Sequence, residues 1–143
     1  MGSDHAGRAL KDLLAAHLRA VGHDVDDLGT DSDDSVDYPD YGAAVGHAVI
    51  AGRAELGVCC CGTGIGISIA ANKIDGIRAA VVHDVTSARL AREHNNANVV
   101  CFGGRLLGTV EATDALEAFL GAEFAGGRHA ERVAKIELLE KER

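Results

Sequence analysis

An apolar run from Leu56 to Cys61 passes directly into Gly62-Thr63-Gly64-Ile65-Gly66 and then into small residues that end at Asn72-Lys73. This stretch, CCCGTGIGISIAANK from Cys59 onward, limits the fold more than any other part of the chain. A short apolar run followed by turn residues reads as a buried strand, and Ile65 to Asn72 reads as the helix after it. A strand feeding a glycine loop and a helix is half of a βαβ unit. Such a loop can hold an anion on backbone N–H groups.

The rest of the chain alternates in the same way. Met1-Gly2-Ser3-Asp4-His5-Ala6-Gly7 leads into a helix whose Leu10, Leu13, Leu14, Leu18 and Val21 recur at helical spacing, ended by Gly22. His23 to Leu28 reads as a short strand, and Gly29 to Tyr38 as an acidic loop closed by Pro39. A second helix fits Tyr41 to Ala51. Ile77 to Val82, apolar apart from Arg78, reads as a parallel strand covered on both faces. Thr86 to Glu93 reads as a helix with Asp84 or Thr86 as its cap, and Asn98 to Phe102 as a strand stopped by Gly103-Gly104. Glu111 to Leu120 is helical. After Gly126-Gly127 a last helix runs from about Arg128 onward with Val133, Ile136 and Leu139 as its stripe. Strands alternating with helices imply an α/β fold with a mostly parallel sheet of about five strands. No strand precedes the loop-like GSDHAG, so the first strand reads as truncated at Met1. An upstream start fits this better than a fold without that strand, which would expose two sheet edges.

Composition narrows the function. The 143 residues suit one domain, 1–143, with a single core, and no internal repeat divides it. A net charge of −8 argues against nucleic acid as a partner, because neutralising phosphates takes a basic surface. There is no apolar stretch of about 18 residues to span a membrane and no signal-peptide layout. Three of the four cysteines are adjacent, which is no disulfide framework, so the expected compartment is reducing and cytoplasmic.

Few residues stand out for chemistry. Side chains alternate along a strand, so Cys59 and Cys61 share one face and Cys60 takes the other. Cys59 and Cys60 read as buried small apolar residues. Cys61 differs because it ends its strand, where open α/β sheets bind ligands, and because helix N-termini activate thiols. Contiguous cysteines cannot converge on one zinc ion, and adjacent strand thiols point apart, which disfavours a redox disulfide. The glycine loop by itself is a weak motif. It lacks the full G-x-G-x-x-G pattern with a following acidic residue, and it lacks the lysine of a P-loop. Asp4 and His5 precede the first helix, His94-Asn95-Asn96 ends another, and Arg105 follows Gly103-Gly104. Arg128 and Arg132 lie one helical turn apart, two guanidinium forks suited to a phosphate. Together, four predicted strand-to-helix junctions place polar or reactive residues on what should be one edge of the sheet.

Read in order, GSDHAG, DYPDY, CGTGIGISIAANK, REHNNANV, FGGR and GGRHAERV resemble the type B ribose-5-phosphate isomerase family, which also holds galactose-6-phosphate isomerase subunits and an allose-6-phosphate isomerase. The resemblance covers nearly the whole chain. It implies a Rossmann-like three-layer α/β/α sandwich, no metal or nucleotide cofactor, and a homodimer or homotetramer with active sites at the dimer interface. The C-terminal helix, about 128–142, would pack on a partner subunit. By the same resemblance Cys61 matches the catalytic base that moves a proton between C2 and C1 of the sugar. Some members carry a glutamate in the glycine loop instead, where this chain has Ile67. His94 matches the group that helps open the furanose ring, with Thr63 assisting, and would reach into a partner's site. Gly62, Thr63, Gly64, Ile65 and Gly66 would supply N–H groups to the enediolate. Asp4, His5, Asn95, Arg105, Arg128 and Arg132 match substrate-binding positions, with Arg128 and Arg132 on the phosphate.

The reaction expected is ribose 5-phosphate to ribulose 5-phosphate. It needs a base of near-neutral pKa, preorganised donors for an oxyanion, and a remote anchor whose binding energy positions the reacting carbons. An isomerase of a six-carbon sugar phosphate or of an unphosphorylated aldose would use the same scaffold. A non-catalytic phosphate- or nucleotide-binding module is the more distant alternative.

Overall fold

A computed structural model of the chain describes residues 1–142. Four strands form one parallel sheet: β1 (Gly2–Ser3), β2 (Gly57–Cys61), β3 (Ala79–Val81) and β4 (Val99–Gly103), in the order β1-β2-β4-β3. Six helices surround it: α1 (Arg8–Ala20), α2 (Tyr38–Ile50), α3 (Ile65–Ala71), α4 (Val85–Asn95), α5 (Thr109–Gly121) and α6 (Arg128–Glu140). α1, α4 and α5 cover one face through Leu10, Leu14, Leu18, Ala88, Leu116 and Phe119, packed on Cys60, Val100 and Phe102. α2 and α3 cover the other through Val45, Ile67 and Ala71, packed on Cys59, Cys61, Val99 and Cys101. The result is the expected three-layer sandwich. The strand alternation held, with Cys60 on one face and Cys59 and Cys61 on the other.

The sheet has four strands and not about five. His23 to Leu28 forms no strand. The segment runs beside the start of the chain, with Leu28 N–H donating to Met1 O at 2.9 Å and Ser3 N–H to Gly29 O at 2.8 Å. The charge on Asp27 sets its path. Lys11 on α1 is only 1 % exposed, and its Nζ donates to both Asp27 oxygens at 2.7 Å. Burial alone would lower the Lys11 pKa, but hydrogen bonds to Asp27 and Asp12 outweigh it and leave the group raised. For Asp27 burial is likewise outweighed, by Lys11 and the Gly29 N–H, and its pKa falls. The charged pair therefore ties the loop to α1.

The start of the chain forms a short first strand of two residues. Gly2 and Ser3 pair with Cys59 and Cys60 of β2, and both are buried. Ile77 to Val82 was expected to be covered on both faces, but β3 is the sheet edge and Ala79, Ala80 and Val81 are half-buried. Its open backbone is partly blunted by Asn72, whose amide donates to Ala79 O at 2.9 Å and accepts from Ala79 N–H at 2.8 Å. α4 starts on a capping box between Asp84 and Ser87.

Candidate active site

Three loops meet beyond the C-terminal ends of β1, β2 and β4. The first is Asp4 to Gly7. Asp4 is buried, its N–H donates to Cys60 O at 3.3 Å, and its Oδ1 accepts from Gly7 N–H at 2.9 Å. His5 Nδ1 accepts from Val36 N–H at 3.2 Å, which links this loop to the segment before α2. The second is the glycine loop, and the third runs from Gly103 to Arg105. Gly104 N–H donates to Cys61 O at 2.8 Å and Arg105 N–H to Gly62 O at 3.0 Å, so the second and third loops are stitched together. The Arg105 guanidinium consequently lies against Gly62.

Cys61 sits at the centre of this edge. It is 4 % exposed, and its Sγ accepts from Gly64 N–H at 3.1 Å. That N–H points back at the sulfur because Gly64 has φ 79°, a left-handed conformation that turns the chain into α3. Thr63 Oγ1 accepts from Ile65 N–H at 3.3 Å. Ile67 is fully buried among Val45, Cys59 and Cys101, so it presents nothing to the loop. The Tyr38 ring lies against Gly66 and walls the loop on the α2 side.

The other thiols are occupied by the core. Burial pushes the Cys60 thiol well up, and the adjacent Cys59 and Cys61 add to the rise. A hydrogen bond with Cys59, followed by burial, does the same for Cys101. Among the described residues no cluster of His, Cys, Asp and Glu is arranged to hold a metal ion.

The expectation that all polar junctions share one edge does not survive. Asp4, His5, Cys61, Thr63 and Arg105 are brought together; His94, Asn95, Arg128 and Arg132 are not. Cys61 ends β2 in register with Gly103 at the end of β4, whereas α4 delivers His94 and Asn95 to the start of β4, at Val99. A five-residue strand separates the two groups, roughly 13 Å at about 3.3 Å per residue. α6 begins beside this far group: Ala125 N–H donates to Glu93 O at 2.9 Å, and the His129 ring stacks on His94. The reason is elementary. A helix between parallel strands runs back against them, so residues at its C-terminus lie at the opposite edge from residues at a strand's C-terminus.

Two residues near these groups were not singled out from sequence. Tyr38 sits in DYPDY, where its place just before Pro39 at the start of α2 was the available signal. His129 lies between the two arginines in GGRHAERV.

Two cavities flank the fold. One of about 730 Å³ is lined by Met1, Leu18, Arg53, Leu56 and Val58, beyond the N-terminal ends of β1 and β2 and away from Cys61. Another of about 400 Å³ lies between the β3 edge and α6, lined by Asn95, Ile77, Ala79, Ile136 and Leu139. Ile136 and Leu139 of α6 are 43 % and 60 % exposed. No helix is long and apolar enough to cross a membrane among the described residues.

A parallel α/β sandwich with a thiol, a glycine loop and a guanidinium at the carboxyl edge of its strands has the layout of an enzyme for a small polar substrate. Comparison with known proteins narrows this. The sequence profile of the Ribose/Galactose Isomerase family matches residues 1–136, and the chain belongs to that family. It is 47 % identical over 142 residues to ribose-5-phosphate isomerase B of Escherichia coli K12, covering 99 % of this chain and 95 % of that one. The structure of ribose-5-phosphate isomerase B from Clostridium thermocellum matches with a TM-score of 0.98 at 51 % identity, covering 99 % of this chain and 95 % of that one. The Mycoplasma genitalium enzyme of the same name, solved with ribulose-5-phosphate bound, matches with a TM-score of 0.95 at 42 % identity over 99 % and 95 % of the two chains.

Proposed function

We propose that this chain interconverts ribose 5-phosphate and ribulose 5-phosphate through an enediolate, with Cys61 as the base. The observation that carries the reading is the Cys61 sulfur at the end of β2, held by the Gly64 N–H at 3.1 Å inside a loop of backbone donors. Cys61 takes the C2 proton of the open-chain aldose and returns it to C1. The hydroxyl proton moves from O2 to O1, so aldehyde becomes ketone without an outside oxidant or reductant. The N–H groups of the loop from Gly62 to Gly66 stabilise the charge that develops on oxygen. Asp4, His5 and Arg105 contact the sugar from the same edge. His94, with Thr63 assisting, opens the furanose ring; Asn95 binds the sugar; Arg128 and Arg132 hold the phosphate, whose binding energy positions the reacting carbons. The four free thiols fit a reducing, cytoplasmic compartment.

The test is a coupled isomerase assay across ribose 5-phosphate, allose 6-phosphate and free ribose. Ribose 5-phosphate should give the highest kcat/KM and free ribose the lowest, because free ribose leaves Arg128 and Arg132 unused. A higher kcat/KM for a six-carbon sugar phosphate would move the assignment to that substrate. Turnover of none would leave a binding module.

The far placement of His94, Arg128 and Arg132 gives the oligomer a role. In this reading a second copy docks on the β3 edge and the exposed apolar residues of α6, and its His94, Asn95 and arginines complete the Cys61 site. Co-expression of Cys61→Ala with Arg132→Ala tests this. Each variant alone should be nearly inactive. Mixed dimers then hold one intact site, so statistical assembly should restore about a quarter of wild-type activity. If each site were built from one chain, the mixture would stay as inactive as its parts.

A further inference from the structure

The His94 imidazole is backed by a second ring. His129, in the first turn of α6, lies face to face with it, ring centroids 4.2 Å apart and planes 9° from parallel. The backbone of the α5–α6 connection is fastened at the same place, by Ala125 N–H to Glu93 O at 2.9 Å. The charged and titratable groups facing His129 are His94 on α4 and Arg128 and Arg132 on its own helix. Glu93, one residue before His94, is engaged by Arg89 at 2.5 Å. Desolvation, then His94, Arg128 and Arg132, push the His129 imidazole below its ordinary value, which favours its neutral form. A neutral ring stacks on His94 without like-charge repulsion. Both rings are half-buried at helix ends, where an unsupported histidine would sample several rotamers.

We propose that His129 is a positioning residue for ring opening: its ring clamps the plane of His94, so that one His94 nitrogen is held in line with the anomeric hydroxyl of the furanose form of the substrate. In that step the O1–H proton leaves, C1=O1 forms as the C1–O4 bond breaks, and O4 takes up a proton, with no net gain or loss. This inference rests on the reading of His94 given above. It adds that the orientation of His94 is built by α6 of the same chain, between the two arginines that take the phosphate. Ring opening and phosphate anchoring are thereby fixed by one helical turn.

The test separates ring opening from proton transfer at carbon. Isomerisation of ribose 5-phosphate needs both. Deuterium uptake from D2O at C1 of ribulose 5-phosphate, which is acyclic, needs only the base. His129→Ala should lower the first about tenfold, the scale on which misorientation acts, and leave the second within about twofold of wild type. His129→Phe keeps a stacking ring and should restore isomerisation to within about threefold. The upfield ring-current shift of the His94 protons in NMR spectra should vanish in His129→Ala and return in His129→Phe. Equal loss of both reactions would make His129 a merely structural residue and overturn the proposal. So would unchanged isomerisation in His129→Ala, or a His129→Phe protein as impaired as the alanine variant. A wild-type protein that exchanges deuterium into ribulose 5-phosphate but gains nothing from His94 would overturn the ring-opening role itself, a result distinct from failure of the clamp. Thermal melts of both variants identify any loss that comes from unfolding.

Discussion

Cys61→Ala should lower kcat for ribose 5-phosphate by about a thousandfold or more while changing KM by no more than about threefold, the pattern of a lost proton-transfer group. In the proposed reaction the side chain that is removed acts on the reacting carbons, whereas Asp4, His5 and Arg105 lie in other loops and the phosphate is held by the arginines of a second copy. Stability should fall little, since losing one sulfur atom leaves a small void, about 1 kcal/mol. Cys61→Ser is the sharper probe. It retains an acceptor for the Gly64 N–H, and so the loop geometry, but its hydroxyl is a far weaker acid and would not supply the base. Its activity should track the alanine variant. A serine variant with near-wild-type kcat would move the base to another residue. Kinetics with ribose 5-phosphate and a direct binding measurement with the same sugar decide between these outcomes.

Gly7→Ala is expected to give the largest loss of stability of any single methyl added to this chain's first loop, about 4 kcal/mol or more. The backbone at Gly7 is ordinary, with φ −95°, so the cost is not one of conformation. It is one of space. A Cβ at Gly7 would sit 2.6 Å from Cys61 N and closer still to the Cys60 carbonyl carbon and oxygen. All three are main-chain atoms of a central strand, which cannot swing aside as a flexible side chain would. α1 would have to lift from β2, and the Asp4–His5 loop that enters it would move with it. A urea melt should show a large fall in midpoint, and any folded fraction should have reduced activity because the same displacement reaches Cys61. A Gly7→Ala protein as stable as wild type would overturn the close α1–β2 approach as the source of the cost.

Much of the fold was legible because its signals are local. The strand–loop–helix unit from Gly57 to Ala71 came out within a residue or two of the expected bounds, since a short apolar run, clustered glycines and a small-residue helix point the same way. The alternation of Cys59, Cys60 and Cys61 between faces follows from strand geometry alone. His23 to Leu28 failed because two apolar residues were set against three aspartates, and Asp27 is drawn to Lys11, a lysine on the same helix face as Leu14 and Leu18 that is buried with them. Ile77 to Val82 looked covered on both faces because a largely apolar run does not say whether the second face is covered by this chain or left open. The candidate site was half legible. Asp4, His5, Cys61, Thr63 and Arg105 converge as strand-end positions should.

The sequence by itself determined the α/β alternation, singled out Cys61 among three adjacent thiols by its place at a strand end, and carried motifs long enough to place the chain in its family. Only the tertiary structure decided which groups share an edge. Spacing along a chain reports local periodicity, whereas the polarity of a parallel sheet sends every helix C-terminus to the edge opposite the strand ends. That reversal takes His94 and, through α6, Arg128 and Arg132 about a strand length from Cys61, and it brings His129 onto His94.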